Sequence, residues 1–112
     1  MKLVTKKVAE ELPRIYSNDG EDPEDVDVVV KFFTPMGQFT WYATEADALV
    51  DGEWVELTGD NYRDAEDIKF FGYVDGQFGE LGYFTLRQLK SVSGIGVERD
   101  RHFPDKTLAD VK

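Results

Sequence analysis

Carboxylates are the most abundant chemically active groups in this chain. Aspartate and glutamate number 23 against 13 lysines and arginines, with one histidine and no cysteine, for a formal charge of −10. The lack of cysteine removes disulfides, thiol nucleophiles and cysteine-based zinc sites, and it fits a reducing compartment. Glu45 closes one expected strand and Glu80 opens another. If those strand ends meet, the two carboxyls share a cleft and divide acid and base roles. The competing reading is that each caps a strand end or pairs with Lys31, Lys69 or Arg99. Asp100 and His102 stand at alternate positions with Glu98, a spacing that projects side chains to one face of a strand and could hold a metal. Arg99 and Arg101 interleave with them, which favours internal ion pairing. Glu45, Glu80, Asp100 and His102 are therefore the catalytic candidates.

Other chemistry finds less support. Ser17, Ser91 and Ser93 have nothing like a nucleophile elbow around them. Asp60, Asn61, Asp64, Glu66 and Asp67 supply hard oxygens, but their spacing does not match a calcium loop with glycine at its sixth position. Gly94-Ile95-Gly96 follows a helix instead of linking strand to helix, so it reads as a helix stop and not a phosphate cradle. No metal and no cofactor is expected.

The acids are unevenly placed. Asp19, Glu21, Asp22, Glu24, Asp25 and Asp27 have no base between them, and nine acids face the single base Arg63 between Glu45 and Asp67. Such a field repels nucleic acid and anionic membrane and attracts basic partners. Solvated loops that keep the protein soluble are the plainer alternative. The candidate partner-binding residues are the six acids of the first stretch with Asp60, Asp64, Glu66 and Asp67.

The elements that position these groups follow from the apolar pattern. The chain is long enough for one domain with its own core, residues 1–112. Thr5 caps a helix whose stripe is Val8, Leu12 and Ile15, and Pro13 ends its regular part near Leu12. Residues 17–24 read as an acidic surface loop. Strands are expected over Val26–Thr34, Gln38–Thr44, Ile68–Val74 and Gln77–Phe84, pairing as two hairpins. Asp75-Gly76 is the strongest turn signal, because both residues tolerate the positive φ of a type I′ turn. Residues 45–67 read as an acidic insertion with an edge strand around Trp54–Thr58. Gly79 and Gly82 predict a bulge or a close approach. Thr85 caps a helix over Leu86–Val92, Val97–Arg99 forms a last short strand, and Thr107 caps a final turn. The fold class is α+β: an antiparallel sheet of four to six strands with the N-terminal helix and the second short helix on one face. Fifteen aromatic residues make both faces of the hairpins apolar. The face opposite the helices carries exposed-aromatic candidates Phe33, Tyr42, Phe71, Tyr73 and Tyr83, and either the acidic insertion or a partner covers it.

Several blocks, in order and spacing, resemble one known family. They are Lys31-Phe32-Phe33-Thr34-Pro35, Thr40-Trp41-Tyr42-Ala43-Thr44-Glu45, Phe70-Phe71-Gly72-Tyr73-Val74, Glu80-Leu81-Gly82-Tyr83-Phe84, and Glu98-Arg99-Asp100 with Phe103. Over nearly the whole chain this resembles the family catalogued as domain of unknown function 2958. The departure from its pattern is the longer acidic stretch between Glu45 and Ile68. The resemblance brings no established activity and no catalytic residue. It implies a cargo protein of bacterial plasmids, integrative elements and phages, and with that an accessory or counter-defence role.

The first expectation is thus a non-enzymatic acidic accessory factor of a mobile genetic element, which binds a basic, nucleic-acid-handling protein by mimicking nucleic-acid charge. No direct contact with nucleic acid or membrane is expected. The alternative is a small enzyme with a carboxylate and histidine cleft. Met1-Lys2-Leu3 leads into charged residues and not an apolar run, so no signal peptide is expected and the expected location is cytoplasmic.

Overall fold

The computed structural model describes residues 2–37, 39–92 and 96–112. Its centre is an eleven-residue strand, β3 (Thr40–Val50). Along one side of β3 runs β5 (Asp67–Asp75), and outside that lies β6 (Gly79–Thr85). The other side is shared end to end: β2 (Val30–Phe33) pairs with the first half of β3, and β4 (Glu53–Glu56) with the second. A short β7 (Glu98–Arg99) pairs with β2. All pairings are antiparallel, giving a six-stranded sheet within the expected four to six, and β1 (Asp27–Val28) with β8 (Lys106–Thr107) forms a separate two-stranded ribbon.

The helices α1 (Lys6–Glu11) and α2 (Leu86–Lys90) both bury their stripes in one core with Phe32, Phe70, Phe84, Ile68 and Ala43. Helix α1 starts at the Thr5 cap and stops at Leu12, one residue before Pro13, whose ring would clash within a helix. Thr85 and Gln88 form a capping box on α2, and Thr107 caps α3 (Leu108–Val111).

Two turns are not where the sequence pattern puts them. The positive-φ pair is Asp51-Gly52, at 51° and 79°, and this pair closes the β3–β4 hairpin. Asp75-Gly76 does not adopt that conformation; β5 and β6 are joined by three residues, Gly76–Phe78. The segment 45–67 is likewise no insertion at its start. It extends β3 and adds β4, and only residues 57–66 loop away. Gly79 is a close approach, since a Cβ there would meet the Tyr73 hydroxyl, whereas Gly82 faces open space. Gln38, Ser93 and the Gly94-Ile95 part of the expected helix stop lie outside the described residues.

The bulge is in β3 instead. Ala43 opposes Gly72 and Glu45 opposes Phe71, so Thr44 is the extra residue, and its hydroxyl donates to the Phe71 carbonyl at 3.1 Å. One inserted residue reverses the two-residue alternation of a strand. Without it Glu45 and Asp47 would follow Trp41 and Ala43 into the helix-side core. With it Ala46 and Ala48 take those places, fully buried, and both carboxylates turn to the other face.

Candidate binding face

Register places all five candidate aromatics on that other face. Tyr42 opposes Tyr73, Phe71 opposes Tyr83, and Phe33 opposes Thr40, each out of phase with the core residues Phe32, Phe70 and Phe84. Two of these rings, Tyr42 and Tyr73, are covered, while Phe33 and Phe71 are half-buried. Val26, Val28 and Leu108 form a second small core against Tyr42, Tyr73, Phe103 and Val111. The cover is therefore the segment around β1 together with the C-terminal ribbon and α3, not the 45–67 segment. Burial raises the Tyr42 phenol above its ordinary value, helped by the nearby Asp75 charge and by Tyr73.

One part of the face is left open. Tyr83 is 51% exposed, with Tyr16 at 66% and Leu81 at 37% beside it. The Tyr83 hydroxyl donates to that of Tyr16 at 3.5 Å, and this contact raises the Tyr83 phenol, with smaller contributions from burial and nearby acids. Lys69 lies over the Trp54 ring at 4.7 Å and the Tyr83 ring at 5.7 Å. Lys112 lies 6.0 Å over Tyr73 and bonds Glu24 at 3.2 Å. With Lys31 over Phe33 and Tyr42, this face already holds three of the chain's own cations over aromatic rings.

Between Phe71 and Leu81 of the sheet and the first acidic loop is a cavity of about 260 Å³. Val26, Phe71, Leu81 and Leu108 supply its apolar walls; Thr44 and Glu45 come from the bulge, and Asn18–Glu21 and Pro23 from the loop. Glu45 is 4% exposed, and its two carboxylate oxygens accept from the backbone N–H groups of Tyr16 at 3.0 Å and Asn18 at 2.9 Å. Asp47 accepts from the Ile15 N–H and from Arg14 Nε, both at 3.3 Å. The chain from Pro13 to Asn18 fills the gap that β2 and β4 leave beside β3, and the Ala46 N–H donates to the Pro13 carbonyl. Tyr16 is held at φ 77°, a left-handed conformation costly for a bulky residue. The bulge therefore turns to this face the acids that anchor the loop, and the loop presents Asn18–Glu21 at the cavity.

A model of one family, described as a protein of unknown function (DUF2958), matches residues 3–110. The chain belongs to that family. The comparisons with curated proteins and with solved structures found no match. As the blocks quoted above suggest, the DUF2958 assignment covers the sheet, both cores and the cavity together.

The catalytic candidates do not converge. Glu45 lies mid-strand, and Glu80, paired with Val74, stands on the helix-side face of the sheet, opposite Glu45. Asp100 and His102 lie past β7, two strands away from β3, where the Asp100 carboxylate accepts the His102 N–H at 2.9 Å. No group of three or more metal-ligating side chains is found among the described residues.

The two acidic stretches are also separated. Residues 58–66, with Asp60, Asp64 and Glu66, run along the helix side: Tyr62 and Ala65 pack on the larger core, and a Cβ at Gly59 would meet Lys6 and Glu10 of α1. Asp67 accepts from Arg87 N–H at 3.0 Å and so fixes the start of α2. In the first stretch Asp22 caps the 3-10 turn Pro23–Asp25, Glu24 pairs with Lys112, and Asp27 lies in β1. Asp19, Glu21 and Asp25 make no side-chain hydrogen bond or ion pair with a described residue. The sequence reading missed Glu45 and Asp47 as loop anchors. Their signal was present: Glu45-Ala46-Asp47-Ala48 alternates out of phase with Trp41 and Ala43.

No helix among the described residues is long and apolar enough to cross a membrane.

Proposed function

We propose that this chain is a non-enzymatic binding protein that docks a basic, nucleic-acid-handling partner on the face bearing Tyr16, Tyr83 and Leu81 and the acidic loop Asp19–Asp25. The observation that carries this reading is the juxtaposition of unpaired carboxylates with exposed rings on one anchored surface. Interfaces draw their energy from a few aromatic and apolar anchors, while complementary charge sets partner choice and encounter rate. Here Tyr16, Tyr83 and Leu81 are the anchors and Asp19, Glu21 and Asp25 the selecting charges. Loop carboxylates of this kind offer a DNA-handling protein a field like that of a duplex, which carries a negative charge about every 1.7 Å of axis. In a mobile genetic element such a cytoplasmic protein serves as an accessory or counter-defence factor.

Affinity capture from the bacterial host, run at about 0.1 M and about 1 M salt, tests the reading. Screening shortens from about 10 Å to about 3 Å over that range. The expected result is a basic partner retained at low salt and mostly released at high salt. Recovery of no specific partner, or retention indifferent to salt, contradicts it.

A further inference from the structure

The cavity beside the acidic loop has a composition that specifies its occupant. Three carboxylates, those of Asp19, Glu21 and Glu45, border about 260 Å³, and no basic residue among the described ones lines it. Glu45 uses one lone pair on each oxygen for the Tyr16 and Asn18 N–H groups. A carboxylate offers about four acceptor sites, so it retains capacity toward the cavity. The three acids do not gather as metal ligands would. Spread negative charge over apolar walls suits an extended cation with an aliphatic stem. The volume also falls below the roughly 300–1,000 Å³ of small-molecule sites, which points to a single side chain.

We infer that this cavity receives an arginine side chain of the bound partner, an inference that rests on reading the acidic loop as a docking surface for a basic protein. The methylene stem packs between Leu81 and Val26. The guanidinium stacks against Phe71 and donates toward Glu45, with Asp19 and Glu21 completing its charge. Arginine fits better than lysine, because its flat, weakly hydrated group both stacks on rings and donates to several acceptors at once. Lys69 over Trp54 and Tyr83 shows the same cation-on-ring chemistry within the chain.

The test titrates N-acetyl-arginine amide into the ¹⁵N-labelled protein and follows amide chemical shifts, with N-acetyl-citrulline amide as the neutral isostere. Saturable shifts confined to Asn18–Glu21, Thr44, Glu45 and Phe71 are expected, with citrulline about tenfold weaker, the factor that corresponds to losing one charge-assisted contact. Leu81→Ala, at a partly exposed wall, should keep the dispersed spectrum and weaken arginine about threefold, as loss of part of an apolar contact implies. Equal binding of the two probes overturns the inference, and so do arginine shifts spread equally over residues 58–66. Partner capture separates the two claims. A salt-sensitive partner with no arginine response sinks the cavity assignment alone. An arginine response with no salt-sensitive partner sinks the docking reading and with it the partner as the source of the arginine, while the preference of the cavity for a guanidinium stands.

Discussion

Replacement of Glu45 by alanine probes the anchor on which the proposed docking face depends. The carboxylate is almost fully buried and accepts two backbone N–H groups at 3.0 and 2.9 Å. Hydrogen bonds to charged groups contribute about 1.5–3 kcal/mol each, so losing both costs about 3–6 kcal/mol. Release of Tyr16 from its left-handed backbone returns about 1–2 kcal/mol. The net expected loss is about 1–5 kcal/mol, a fall in Tm of about 4–40 °C at about 4–8 °C per kcal/mol for a small domain. Glu45→Gln keeps one acceptor oxygen and should fall between alanine and wild type. Glu80→Gln changes the same kind of group on an exposed position of the opposite face and should stay within about 0.5 kcal/mol. Urea unfolding of the four proteins, with m-values compared to check that the unfolded states match, measures all of this. If Glu45→Ala and Glu80→Gln lie within about 0.5 kcal/mol of each other, the anchoring argument is wrong.

Other expectations follow from single contacts. A Cβ at Gly72 would collide with the Tyr42 carbonyl oxygen on β3, whereas its cross-strand partner Gly82 has open space. Gly72→Ala should lose more than about 3 kcal/mol or fail to fold, and Gly82→Ala less than about 1 kcal/mol; equal losses in thermal melts would count against the register. Gly52→Ala at φ 79° should cost about 1–2 kcal/mol by urea unfolding, and no cost would mean that the turn is not of the left-handed kind. The Tyr42 phenol has a folded-state pKa raised above its ordinary 10.0. Its stabilising contribution is therefore complete below that value and disappears as pH rises through the higher folded one. Stability should fall through the alkaline range, and Tyr42→Phe should flatten that fall; a parallel curve for the variant argues against the assignment.

The sequence makes the fold legible where local signals and core pattern agree. Thr5 with Pro13, the Thr85–Gln88 capping box and the Phe70 and Phe84 strands all stand where their chemistry puts them. It misleads where two signals compete. Asp51-Gly52 and Asp75-Gly76 are the same dipeptide, and only the strand pairing on either side decides which one takes positive φ. The β3 bulge is hidden for a related reason: an acid–alanine alternation reads as a polar loop until a reversal of phase puts its alanines in the core. The proposed docking face is half visible in the sequence. Tyr83 and Asp19–Asp25 are identifiable from type and position. That Leu81 and Glu45 join Asp19 and Glu21 around one cavity, and that Asp60–Glu66 does not, depends on contacts between residues far apart in the chain.

The central claim concerns one acidic surface, not acidity in general. Its most direct measurement is the affinity of the captured partner for three proteins by isothermal titration calorimetry: the wild type, the Asp19→Asn/Glu21→Gln/Asp25→Asn variant, and the Asp60→Asn/Asp64→Asn/Glu66→Gln variant. Each variant removes three negative charges, one set on the open aromatic face and one on the helix side. The account predicts a loss of about tenfold or more for the first variant, at least 1.4 kcal/mol, and less than about threefold for the second. Equal weakening by both would mean that the partner senses only net charge, and the proposed face would be wrong.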